Sequence, residues 1–209
     1  MSARDELLRR VREALHDVPA EEAPVERSYR RTGAVGADAA GLFAERVADY
    51  DATVSRVKAG ELEGALAERC RERSASRLAA PTDLPPGWRP PGVDVVDDRG
   101  LSNEALDSLD GVVTGCALAI AETGTIVLDC GARQGRRALT LVPDWHLCIV
   151  EESQVVETVP QGVELLEAAV REGRPITFVS GPSATSDIEL SRVAGVHGPR
   201  TLDVLLVSA

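Results

Sequence analysis

The 209 residues suffice for one sizeable domain with at most a small appendage. They are 44% hydrophobic and 27% charged but only 3% aromatic, so Ala, Val and Leu must fill the core, which suits buried parallel strands covered by helices. A net charge of −11, with no basic cluster beyond Arg136–Arg137 and Arg9, Arg10 and Arg12, argues against a nucleic-acid partner and still allows a small anion in a locally positive pocket.

Residues 3–17 read as an amphipathic helix with Leu7, Leu8, Val11, Ala14 and Leu15 on one face and Pro19 at its end. Residues 18–37 have no period and carry Pro, Gly and mixed charge, so they read as a linker arm. The compact part starts near Ala39. Leu42, Phe43, Val47 and Ala48 predict a helix, Thr53–Val57 a strand, and Glu61–Arg73 a second helix with Leu62, Ala65, Leu66 and Arg69 at helical spacing. Ser76–Ala79 predicts a strand. Residues 81–92 hold five of the twelve prolines and are a loop. Val93–Val96 follows as a strand and Asn103–Ser108 as a short helix.

The densest stretch comes next. Val112–Val113, Leu118–Ala121, Thr125–Leu128, Leu139–Val142 and His146–Val150 are short β runs broken by Gly, Pro and Asp. Gln161–Arg171 predicts a helix with Val163, Leu166, Ala169 and Val170 inward, closed by Gly173 and Pro175. Ile176–Val179 and Leu202–Val207 read as continuous apolar strands of a sheet covered on both faces. The class is α/β, with a β-rich central segment that includes an antiparallel pair.

Cys70, Cys116, Cys130 and Cys148 form no C-x-x-C pair and lie near no metal-spaced histidine. A disulfide framework, a zinc site and an iron–sulfur cluster in this chain are therefore not expected. Cys148 lies in an apolar run and reads as a small buried hydrophobe. The charged opening MSARDELLRRVREAL is not a signal peptide, and no apolar stretch approaches a membrane span, so the sequence reads as a cytoplasmic protein without a membrane contact.

Four stretches can carry chemistry. In VSGPSATSDIELSRV, a strand ends at Ser180 and a helix is expected near Ser186. Backbone N–H groups from Gly181 onward, with the hydroxyls of Ser183, Thr185 and Ser186 and the acid Asp187, can cradle a phosphate or carboxylate at a strand end. Ser186-x-x-Glu189 is also a capping box, which needs no ligand, and both uses can hold at once. His197, between Gly195 and Gly198, is the histidine best placed for acid–base work, although a turn histidine more often bonds a carbonyl. His16 ends the first helix, where it interacts with the helix dipole, and His146 begins a strand and is uncommitted. Glu122, before Thr123, Gly124 and Thr125, is either a functional acid or an exposed hairpin residue. The basic glycine loop from Gly131 to Arg137 either reaches over a pocket, with Arg136 as a clamp, or is a solvated tip.

The runs AIAETGTIVLD, VPDWHLCIV, ITFVSGPSATSDIEL and GVHGPRTLDVLLV together resemble the LUD domain family, and within it the lactate utilization protein C (LutC/YkgG) group, over roughly residues 40–209. The resemblance implies a NagB/RpiA/CoA-transferase-like sheet flanked by helices, with an arm at 1–37 and a LUD domain at 38–209. It implies L-lactate utilization, with lactate oxidised to pyruvate alongside partner subunits that resemble iron–sulfur oxidoreductases. The Glu122–Thr123–Gly124 turn also resembles the Ser-Glu-Asn-Gly turn of some CoA transferases, with Ala121 and Thr123 replacing its flanking residues.

The leading expectation is a non-cluster component of that system. It binds a small anionic ligand through Gly124, Thr125, Arg136, Gly181, Ser183, Thr185, Asp187 and Gly198, with His197 and Glu122 as the catalytic candidates. The alternatives are a non-catalytic assembly module, whose arm and acidic surface dock the partners or a second copy, and an autonomous acyl-CoA or phosphosugar enzyme. The cofactor is left open, as is whether the chain itself catalyses.

Overall fold

Helix α1 (Ala3–Ala14) stands on local interactions alone. Ser2 and Asp5 form a capping box, and Arg9 pairs with Glu6 and Glu13. It buries no residue. The computed structural model describes residues 2–17, 25–29, 38–185, 193–194 and 198–209. Most of the expected 18–37 linker, and the helix expected from Ser186 with its capping box, lie outside the described residues.

The body begins with α2 (Ala39–Ala48), whose Asp38 cap accepts a bond from the Gly41 N–H at 2.7 Å. It continues through β1 (Thr53–Lys58), α3 (Leu62–Glu72), β2 (Arg77–Ala80), β3 (Asp94–Asp97), α4 (Asn103–Asp107) and β4 (Gly111–Thr114). Then come β5 (Leu118–Ile120), β6 (Thr125–Leu128), β7 (Trp145–Glu151), β8 (Val155–Val156), α5 (Val159–Leu165), α6 (Glu167–Arg171) and β9 (Thr177–Val179). A hairpin of β10 (Ala184–Thr185) and β11 (Val193–Ala194) precedes β12 (Thr201–Ser208).

Six strands form an all-parallel sheet in the order β1-β12-β7-β4-β2-β3. Alternation along its strands builds two core layers. Trp145, Leu147 and Ile149 of β7 face α3 with Leu205 and Val207, where they meet Leu62, Leu66 and Cys70. Cys148 and Val150 face the other way with Val204 and Leu206, toward Phe43 and Val47 of α2. A second, mixed sheet in the order β8-β5-β6-β9 lies on that side, its Ala119, Ile126 and Leu128 in the same cluster. Its outer face, with Leu118, Ile120 and Val127, is covered by Leu166. The class is α/β, as the composition implies. Among the described residues, no helix is long and apolar enough to cross a membrane.

Three local expectations need correction. Leu139–Val142 is not a strand: Arg137–Thr140 makes a single 3₁₀ turn that closes its own hydrogen bonds and buries Leu139 against Leu106 and Val112. The predicted helix 161–171 starts earlier, at Val159, and breaks at Leu166. The break rotates the apolar stripe, so Leu166 and Ala169 are buried while Val163 and Val170 are exposed. β9 is not a doubly covered central strand. It is the edge of the mixed sheet, with Phe178 exposed, whereas β12 is central and buried along nearly its whole length.

Candidate functional site

The turn from Glu122 to Gly124 joins β5 to β6, and the turn from Ser180 to Ser183 follows β9. Because β6 and β9 are antiparallel, with Ile126 opposite Val179, the start of one strand meets the end of the other. The Thr125 and Ser180 hydroxyls are 2.8 Å apart, and Thr123 Oγ1 lies 2.7 Å from Thr125 Oγ1. Three hydroxyls thus form one chain. Thr125 Oγ1 also donates to the turn carbonyl Thr123 O at 3.4 Å, so the chain closes on its own turn.

Both turns are pressed onto the C-terminal end of α2. A Cβ on Gly124, whose φ is +59°, would lie 2.5 Å from the Arg46 carbonyl carbon and the Val47 nitrogen. A Cβ on Gly181 would lie 2.7 Å from Tyr50 Cβ and 2.8 Å from Tyr50 O. Glycine is required at both places by close backbone approach. Ser183 is bound in turn to the segment before β12: its N–H donates to Pro199 O at 2.8 Å, and a Cβ on Gly198 would sit 3.6 Å from Ser183 Cβ.

Of the residues singled out in the sequence, the structure therefore gathers Gly124, Thr125, Gly181, Ser183 and Gly198 around one set of turns. Glu122 is exposed on the same turn as Gly124, and its backbone N–H donates to Glu157 O at 3.0 Å. Thr185 lies in β10, paired with Val193. His197 and Asp187 lie outside the described residues. Within the turns, the Gly124 N–H donates to Ala121 O at 3.3 Å.

Arg136 is not brought to these turns. Its guanidinium forks onto Asp98, with Nε at 2.7 Å from Oδ2 and Nη2 at 3.1 Å from Oδ1, and also bonds Leu101 O. Asp98 follows β3, at one edge of the parallel sheet, and Tyr50 precedes β1, at the other. The two edges are five strand spacings apart, roughly 24 Å. Burial pushes the Asp98 carboxyl up, but Arg136 and the N–H groups of Leu101 and Gly100 outweigh it, and the carboxyl titrates below its ordinary value.

The loop containing Arg136 is neither a solvated tip nor a cover. Arg133 stacks over Trp88 at 4.7 Å, lies 3.4 Å from Glu151, and donates its backbone N–H to Asp83 at 2.7 Å. The loop buttresses the carboxyl edge of the parallel sheet. The gathered turns lie instead at its amino edge, where β1 and β12 begin. That differs from the strand-end placement expected of an open α/β sheet, because β9 belongs to the mixed sheet and runs toward the opposite end. Among the described residues, no group of three or more His, Cys, Asp or Glu side chains is arranged to hold a metal ion.

Sequence reading missed Ser180, Thr123 and the supporting Tyr50. The hydroxyls that open the run TGTIVL and close the run ITFVS were a visible signal. Their pairing was not, because it depends on register between strands distant in sequence.

Comparison with known proteins adds a second line. The sequence model of the LUD domain matches residues 88–207. The chain is 54% identical over 166 residues to lactate utilization protein C of Deinococcus radiodurans, covering 79% of this chain and 77% of that one. It is 40% identical over 112 residues to the uncharacterized protein YkgG of Escherichia coli, covering 50% and 48%. A crystal structure of a DUF162 family protein from Deinococcus radiodurans superposes with a TM-score of 0.71 at 44% identity, covering 88% of this chain and 99% of that one.

Proposed function

The chain belongs to the LUD domain family, in its lactate utilization protein C group, and from that membership we propose that it is a component of an L-lactate utilization system that carries no cluster of its own. In this reading, lactate is oxidised to pyruvate with iron–sulfur partner subunits, and the LUD domain, taken as residues 38–209 in a NagB/RpiA/CoA-transferase-like arrangement, binds a small anionic ligand. The pocket comprises Gly124, Thr125, Gly181, Ser183, Thr185, Asp187 and Gly198, with His197 and Glu122 as the groups for any proton transfer.

The observation that carries the pocket is the Thr125–Ser180 contact at 2.8 Å, which closes two glycine turns into one hydroxyl-lined surface. A carboxylate or phosphate oxygen is the natural acceptor for such donors. The test is a thermal-shift screen of the full chain against lactate, pyruvate, phosphate, nucleotides, CoA esters and folates. A ligand at a hundred times its dissociation constant stabilises the fold by about 2.7 kcal/mol. The expected result is one class that shifts the wild type and loses its effect in Ser180→Ala and His197→Ala. A shift that survives both variants overturns the pocket.

The assembly reading draws on a separate observation, the exposed Leu7, Leu8, Val11 and Leu15 stripe of α1. In that reading the stripe is covered by a partner subunit. Deleting residues 2–17 would then abolish co-purification with the partners while leaving any ligand-induced shift intact.

A further inference from the structure

The most chemically loaded buried cluster lies away from those turns, where the carboxyl end of β4 meets the first half of β7. Register sets Val112 beside His146 and Thr114 beside Cys148, so Thr114, His146 and Cys148 share one face. Cys116, two residues beyond Thr114, joins the same core layer as Cys148. All four side chains are buried, with residue exposures of 0–2%.

Their hydrogen bonds are ordered. Thr114 Oγ1 donates to Gly115 O at 2.8 Å. The same oxygen lies 2.8 Å from His146 Nε2. Cys148 Sγ lies 3.9 Å from Gly115 O, the carbonyl bonded to the Cys116 nitrogen, which brings Cys116 and His146 to its side. Led by the Cys116 contact, these partners hold the Cys148 thiol below its ordinary value against the opposing effect of burial. The Cys116 thiol is pushed well up, because a second negative charge beside Cys148 is opposed by both that sulfur and burial. Gln154 roofs the pair: its Oε1 lies 3.7 Å from Cys116 Sγ, and its amide donates to Cys116 O at 2.8 Å. Cys70 is the contrast, a thiol in an apolar cluster pushed up to about 11 by burial alone.

We propose that Cys116 and Cys148 form a redox-modification site, a buried thiol pair that a small hydroperoxide closes to an intrachain disulfide and a thiol reductant reopens. Cys148 is the attacking sulfur. Its thiolate takes one peroxide oxygen, the O–O bond breaks, hydroxide leaves and a sulfenic acid forms. The Cys116 sulfur then attacks that sulfenic sulfur, the S–S bond forms, the S–O bond breaks, and the hydroxyl leaves as water with the Cys116 proton. Two thiols lose two electrons and two protons, and the peroxide becomes two waters. Burial selects an oxidant of near-water size over a protein disulfide. The bond pins the link from Gly115 to Ala117, which joins the parallel sheet to the mixed sheet carrying Thr125, onto β7. The proposal is independent of the ligand assigned above.

The test treats the purified full chain with one molar equivalent of hydrogen peroxide, alkylates the remaining thiols in denaturant and maps non-reduced peptides. Trypsin alone leaves Cys116 and Cys130 on one peptide. An added Asp/Glu-specific protease cuts at Glu122 and Asp129 and separates them. The expected product joins the Cys116 and Cys148 peptides through a bond that dithiothreitol removes, with Cys70 and Cys130 alkylated. Gln154→Ala is expected to form it several-fold faster, and Cys116→Ser to leave Cys148 trapped by dimedone as the sulfenic acid. Oxidation confined to Cys130, with Cys116 and Cys148 both alkylated, overturns the proposal, and the wild-type map decides this even if the cysteine variant fails to fold.

Discussion

Thr125 and Ser180 are 55 residues apart in the chain, yet their side-chain oxygens meet at 2.8 Å where β6 begins and β9 ends. The contact makes one surface from two turns. It also places Thr125 in the middle of a three-hydroxyl chain and Ser180 at its end, which gives the two residues different weights.

Thr125→Val keeps the shape and removes the central hydroxyl, leaving Thr123 and Ser180 without their shared partner. Its expected cost is about 1–2 kcal/mol. Ser180→Ala removes only an end group and should cost clearly less. Urea unfolding measures both, and equal costs would mean that the three hydroxyls do not act as a unit.

Gly181→Ala should destabilise by about 1–3 kcal/mol, the range for forcing extra volume into a packed contact. The added carbon would meet Tyr50 Cβ at 2.7 Å and Tyr50 O at 2.8 Å. Neither obstacle is removed by shortening the tyrosine, since alanine retains both atoms. Tyr50→Ala should therefore fail to rescue Gly181→Ala in a double-mutant cycle. A rescue would show that the ring, and not the backbone approach, sets the requirement for glycine.

The strands that were legible in the sequence are those whose burial is written into their own residues. Leu202–Val207, apolar but for Asp203, and Leu147–Val150 occupy the middle of the parallel sheet. Thr125–Leu128 matches its strand residue for residue. What stayed hidden depends on partners. β8 is two residues long and is defined by its pairing with β5. Ile176–Val179 has the composition of a central strand but, among the described residues, no neighbour beyond β6. The glycine turns of the candidate site were visible as punctuation, whereas their common footing on α2 is a tertiary fact. His146 looked uncommitted because its partner, Thr114, comes from the adjacent strand.

Acid should loosen the corner held by Asp98. Its folded-state carboxyl titrates below the unfolded value, near 3.9, so its contribution is fully present above that value and is lost as pH falls through the lower folded one. Asp98→Asn removes the charge that Arg136 forks onto and should cost about 1–2 kcal/mol near neutrality. The gap from wild type should close as pH falls through the lowered folded-state value, where the native carboxyl is also protonated. Denaturant midpoints at pH 7 and in acid test this, and a gap that stays constant would assign the loss to packing and not to charge.

Alkali should act through Cys70 with the opposite sense. The folded thiol is pushed up to about 11 by burial, whereas an unfolded thiol ionises near 8.5. Between these values the unfolded chain releases a proton that the folded chain retains, so stability falls with rising pH by up to about 1.4 kcal/mol per unit. Below 8.5 the thiol is neutral in both states and the effect vanishes. Cys70→Ala removes the titration and leaves a small gap beside Leu66 and Leu78, costing about 1 kcal/mol at neutral pH. The variant should then lose less stability than wild type as pH rises from 8 to 10.5, and the two stability curves should meet and cross within that range. Parallel curves across that range would mean that the Cys70 thiol reaches water before it ionises.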